Sequence, residues 1–148
     1  MTEYEYRAKR YLSQIKTLDS KINIKISELE MLKSNMAKVK NTNFENERVS
    51  SSPKMNDAAF TIAVEKTIEL NDEINSDIDK LTDLKTKIVC EIEQLSEAKY
   101  IDVLYKRYVQ FKRFYEISDE MSYSLGHAKK IHRKALKEFA KVILNDTF

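Results

Sequence analysis

Ile15, Leu18, Ile22, Leu29, Leu32, Met36 and Val39 recur at alternating three- and four-residue steps, the spacing of side chains on one face of a helix. Lys25 is the one polar gap, with Ile26 beside it. This pattern predicts a long amphipathic helix from near Glu3 to near Lys40. A polar, Ser-rich stretch follows from Asn41 to Asp57 and contains Pro53, whose ring pushes the preceding residue out of helical conformation, so a loop is expected there. Asp57 is the expected cap of a second long helix, in which Ile74, Ile78, Leu81, Ile88, Ile92 and Leu95 keep similar spacing to about Ser96, with Asn71 and Lys85 as polar gaps. Neither helix can bury its stripe alone.

A third pattern occupies Phe114 to Phe139. Ile117 and Met121 lie four apart, Ser122, Tyr123 and Ser124 interrupt the stripe, and Leu125, Ala128, Ile131 and Ala135 resume it. Two short helices joined by a tight turn fit this spacing, with small Ser118 where crossing helices must approach closely. Ser124 can accept a hydrogen bond from the free amides of the second helix and is its expected N-cap. That helix should run from about Leu125 towards Leu144. Its outward positions are Gly126, His127, Lys129, Lys130, Arg133, Lys134 and Lys137, a mostly basic face suited to a groove lined by phosphates. A solvated outer face on a small helical core is the plainer reading; turn spacing and charge together favour DNA.

Charge separates the three regions. Residues 1 to 41 hold nine Lys and Arg against five Asp and Glu, residues 58 to 98 hold four against ten, and residues 99 to 144 hold eleven against five. The overall charge of +2 therefore hides an uneven chain. Opposite charge favours an antiparallel hairpin between the first two helices over parallel pairing of like helices from two chains. The basic final third is what a head that meets nucleic acid needs, and the acidic middle keeps the rest off the phosphates. Tyr100, Leu104, Tyr108, Phe111, Phe114 and Phe139 fall at buried helical spacings and are expected to form the core of that head, in preference to stacking on bases.

Composition narrows the alternatives. One Gly and one Pro in 148 residues leave little turn-making chemistry, which argues for few, long helices and against strands. The expected fold is all-α, with a helical hairpin over residues 1–98, its loop at 41–57, and a helix-turn-helix head over residues 99–148. No apolar run approaches the ~20 residues needed to cross a bilayer, and MTEYEYRAKRYL lacks the apolar core of a signal peptide, so a cytoplasmic protein without membrane contact is expected. Cys90 is alone, which excludes an intramolecular disulfide and fits a reducing compartment. His127 and His132 are five apart, about 140° around a helix, and cannot chelate one ion from one face. With no phosphate-cradling glycine loop and only dispersed carboxylates, neither a metal, a cofactor nor an enzymatic activity is expected.

The run YIDVLYKRYVQFKRFYEISDEMSYSLGHAKKIHRKALKEF resembles region four of bacterial sigma factors. Val103, Leu104, Arg107 and Tyr108 match the first part of that pattern, Ile117 and Ser118 the second, and Ala135 with Leu136 the last. Ser122 stands where the family usually has its turn glycine, and Ser118 where it has alanine. The same module after a long helical N-terminal half is similar to small phage transcriptional regulators of the autolysin regulatory protein type. The resemblance implies that the helix from Leu125 enters the major groove, with Ser124, Gly126, Lys129, Lys130 and Arg133 in reading positions, and it implies a regulatory role and a phage or prophage origin. Lys112, Arg113, Lys134 and Lys137 are then expected to hold the DNA backbone, and His127 to meet a phosphate or a base edge. The expected partners are double-stranded DNA, a second copy of the chain through the hairpin with a dimer favoured, and RNA polymerase as a further candidate. Two other readings stay open: a DNA-packaging subunit of the small-terminase kind, and a protein-binding adapter that touches no DNA.

Overall fold

The structure, a computed structural model, describes the backbone of residues 1–46 and 54–145 and the side chains of residues 1–38 and 58–145. It is all-helical, and no strand occurs among the described residues. The elements are α1 (Glu3–Leu12), α2 (Gln14–Asn46), α3 (Lys54–Glu93), α4 (Ala98–Leu104) with a π-helical turn (Tyr105–Val109), α5 (Phe114–Met121) and α6 (Leu125–Val142).

Several boundaries differ from the sequence expectation. The first long helix is broken at Ser13, which separates α1 from α2, and α2 runs on to Asn46. Helix α3 starts at Lys54, so Asp57 lies inside it and does not cap it. Residues 41 to 46 and 54 to 57 are therefore helical; a polar composition lowers a helix's burial without forbidding its hydrogen bonds. Pro53 and the break expected before it lie outside the described residues.

The chain forms two compact units. One compact unit joins Met1–Asp19 to Leu81–Phe148, and the other is Ser20–Lys80. In the first unit, Ile15, Ile88, Ile92 and Leu95 are buried with Tyr100, Val103, Leu104, Tyr108, Ile117, Leu136 and Phe139. These stripe positions share one core with the buried face of α6. Helix α1 adds Ala8 and Leu12, and the Tyr11 hydroxyl donates to both carboxylate oxygens of Glu91 at 2.8 and 2.9 Å. Burial, and then the Glu91 hydrogen bond and charge, push the Tyr11 pKa up to about 12. Phe111 and Phe114 are only half-buried against this core.

In the second unit Ile22 and Leu29 of α2 and Ile74 of α3 are buried. Lys25 Nζ meets Asp77 at 2.6 Å and Glu73 at 3.6 Å, and Thr67 Oγ1 donates to Met36 Sδ at 3.4 Å. Partners retreat along α3 as α2 advances, so the two segments run in opposite directions. Lys25, the polar gap of the stripe, is where their opposite charges meet. Its ammonium, by hydrogen bond and charge, lowers the Asp77 pKa.

The π turn and the following loop set the direction of α5. Gln110 N–H reaches Tyr105 O at 3.1 Å, and Lys112 N–H reaches Lys106 O at 2.9 Å. Phe111 between them has φ 58°, a conformation that side-chain-bearing residues rarely adopt. Arg107 supports the loop by donating from Nη1 to Lys112 O at 3.0 Å and lying 4.4 Å from the centre of the Phe114 ring.

Candidate nucleic-acid interface

Helix α5 ends at Ser122, which has φ 58° and ψ 41°. This left-handed residue lets Tyr123 N–H reach back to Ser118 O at 2.9 Å and closes the helix. Such a conformation costs an L residue with a Cβ about 1–2 kcal/mol, part of which glycine gives back through its freer unfolded chain. Ser122→Gly should therefore raise the unfolding free energy by about 0.5–1 kcal/mol, read from urea unfolding; an unchanged or lower value would place the strain elsewhere.

Two residues later Ser124 begins α6. Its backbone is extended, and its Oγ accepts a hydrogen bond from His127 N–H at 3.1 Å, so it is the N-cap. The His127 ring lies edge-on to Tyr123, with centroids 4.7 Å apart. Ser118, within α5, is buried, its hydroxyl donating to Tyr115 O at 2.8 Å. The turn between α5 and α6 is thus built from serines where small size, a hydroxyl or a tolerated left-handed backbone is needed.

Helix α6 packs against α1, α4 and α5. Ala128, Ile131, His132, Ala135, Leu136, Phe139 and Ala140 are its buried positions. His132 is buried between aromatic rings: Nε2 shares a 2.7 Å hydrogen bond with the Tyr108 hydroxyl, and the Phe114 ring lies edge-on at 4.9 Å. Burial first, then the charges of Arg107 and Lys9, lower the His132 pKa to about 4, with Glu5 acting weakly against them. Neutral and enclosed, it cannot reach a ligand.

The remaining face of α6 is exposed and carries Gly126, His127, Lys129, Lys130, Arg133, Lys134, Lys137 and Lys141. Six of these are permanent cations, and at 100° per residue they fall within about two fifths of the helix circumference. Lys134, Lys137 and Lys141 also line an open groove with Tyr100 and Glu138, whose carboxylate accepts from Ser96 Oγ at 2.7 Å.

The other expected contacts fare differently. Lys112 is paired with Glu120, which also takes Lys106 at 2.7 Å, and hydrogen bonds from both lysines lower the Glu120 pKa. Arg113 is exposed at the opposite end of α5 from the turn, where its N–H donates to Glu116 at 2.7 Å. Neither belongs to the α6 face. Arg133 does, but its Nε is 3.4 Å from Glu5 Oε1 on α1. Glu5 was not among the residues expected here. The Thr2-Glu3-Tyr4-Glu5 sequence, with a hydroxyl three residues before a carboxylate, carries the signal of a helix start and does form a capping box.

Gly126 needs no special backbone: its φ is not positive, and a Cβ there would meet nothing within 4 Å. Gly126→Ala is therefore expected to fold and to gain about 0.5–1 kcal/mol in thermal unfolding through helix propensity. A loss would mean that the bare backbone is needed for folding itself.

Among the described residues no group of three His, Cys, Asp or Glu could hold a metal ion, and no helix is long and apolar enough to cross a membrane. Comparison with family models, curated proteins and solved structures found no match.

Proposed function

We propose that the chain is a sequence-specific DNA-binding transcriptional regulator in which α5 and α6 form a helix-turn-helix and α6 enters the major groove. The observation that carries this reading is the asymmetry of α6. One face is closed by the core, while the exposed face presents six cations directly after a short serine turn. A helix held on three sides by α1, α4 and α5 offers its basic face as a rigid body, which is what groove recognition requires. Ser124, Gly126, Lys129, Lys130 and Arg133 lie in or after its first turn and are the base-reading set; Lys134 and Lys137 hold the backbone. Lys112, off the α6 face and sharing Glu120 with Lys106, contributes less. The phage or prophage origin, and RNA polymerase as a partner, rest on the sigma-like resemblance.

The paired α2 and α3 segments are the helical hairpin of this reading, a surface for self-association. Ile24, Met31, Ile62 and Ile68 are each more than half exposed on it. A dimer in light scattering supports the regulator, whereas a ring-sized oligomer supports a DNA-packaging subunit. Binding to pooled random duplexes at low salt, with log affinity falling linearly as log salt rises, is the expected result. If no duplex is retained at low salt, the protein-binding adapter replaces this reading; Leu125, exposed at the start of α6, is part of the surface it would use.

A further inference from the structure

Arg133 is placed by a residue 128 positions away in the chain. Glu5 is buried, with only 5% of its surface exposed, and it is held from its own helix start: Thr2 N–H donates to Oε2, and Glu5 N–H donates to Thr2 Oγ1 at 3.4 Å. Oε1 is left to face α6, where it meets Arg133 Nε at 3.4 Å. Burial works against the Glu5 charge, yet the hydrogen bonds from Thr2 and Arg133 hold its pKa below the usual carboxylate range. The carboxylate therefore stays ionised where the arginine needs it.

The chemistry of the contact matters more than its strength. Nε is the inner nitrogen of the guanidinium, and the two terminal amino groups have no hydrogen bond among the described residues. The Arg133 side chain is 53% exposed. A guanidinium drawn to a carboxylate at Nε presents the remaining pair of donors as a planar fork. That fork matches the two acceptors on a guanine edge, or the paired oxygens of a phosphate.

We propose that Glu5 is a positioning residue for Arg133 in DNA recognition, so that the first turn of α1 sets the specificity of α6 at one base pair. This deepens the DNA-binding reading and rests on it. A carboxylate beside a DNA face would repel phosphate if it were exposed. Glu5 is buried and turned to Nε, so orientation is its effect and repulsion is minor.

Sequence preference, measured apart from affinity, tests the assignment. Duplexes are selected from a random pool with the parent chain, and each base pair of the selected site is then varied in titrations with the parent, Arg133→Ala, Arg133→Lys and Glu5→Gln. Arg133→Ala should lose discrimination at one base pair by about tenfold or more. Glu5→Gln should lose it at the same base pair, with non-specific affinity and melting temperature close to the parent's. Arg133→Lys keeps the charge without the Nε contact or the fork, leaves α1 untouched, and should show the same loss. In a double variant, Glu5→Gln should add nothing to Arg133→Ala. Full discrimination by Glu5→Gln, or tighter binding with unchanged discrimination, overturns the positioning role and leaves the DNA reading standing. Unchanged discrimination in Arg133→Ala does the same. If the parent retains no duplex, the DNA reading falls and this proposal falls with it.

Discussion

Lowering the pH from 6.5 to about 4 is expected to cost the fold about 3 kcal/mol through His132 alone. The ring is 3% exposed, sits against Tyr108 and Phe114, and faces the cations Arg107 and Lys9 with only Glu5 in opposition. Its pKa is lowered in the fold, so between about 4 and 6.5 the unfolded chain binds more protons than the folded one. Stability is therefore complete above about 6.5, declines as the pH falls, and has lost this contribution by about 4. Each pH unit in that interval is worth about 1.4 kcal/mol at most. Glu5, Asp77 and Glu120, whose pKa values are lowered in the fold, add their own losses at more acidic pH. His132→Gln keeps a hydrogen-bonding side chain opposite the Tyr108 hydroxyl but cannot titrate. Urea unfolding of the two proteins at several pH values between 7.5 and 4.5 should show a slope in the parent that the variant lacks. Equal slopes would remove His132 as the cause.

Replacing Lys129, Lys130 and Arg133 together with alanine is expected to weaken duplex binding by about 4 kcal/mol, roughly a thousandfold. Arg133 supplies about 1–3 kcal/mol of this if it reads a base edge, and each lysine about 1 kcal/mol at moderate salt through counterion release. The dependence of log affinity on log salt should become shallower by about 2 to 3. All three side chains are exposed and outside the core, and alanine is the best helix former, so the fold should survive. The matched control is Lys106→Ala with Lys112→Ala. Those lysines share Glu120 and lie off the α6 face, and losing them should change binding less than losing the three α6 cations. A control that weakens binding as much as the triple variant would move the interface to the start of α5.

What could be read from the sequence was local. Ser124 as a cap, the start of α6 at Leu125, and the exposure of Lys129, Lys130, Arg133, Lys134 and Lys137 follow from three- and four-residue spacing and from one hydroxyl at the right place. What could not be read was non-local. Ile15, Ile88, Ile92 and Leu95 carry a coiled-coil-like spacing that says they are buried without saying against what, and they proved to share the core of Tyr100, Leu104 and Phe139. For that reason the unit that holds α6 begins with Met1–Asp19 and is completed from Leu81 onward. Glu5 belongs to the Arg133 site through packing of α1 on α6, which no pattern within either helix encodes. The left-handed Phe111 and the π turn before it carry no glycine to mark them. Lys112 and Lys106 count as free cations in a tally of charge, yet the fold pairs both with one glutamate.

If the exposed face of α6 reads base pairs, it does so in the major groove. Selection from a random duplex pool, followed by interference with methylation at guanine N7, tests it most directly, because N7 lies in the major groove. The expected result is an enriched sequence, bound more weakly when its guanines are methylated, and loss of that enrichment in the Lys129, Lys130 and Arg133 variant. Binding with no enriched sequence, or an enriched sequence indifferent to N7 methylation and to that variant, would contradict it.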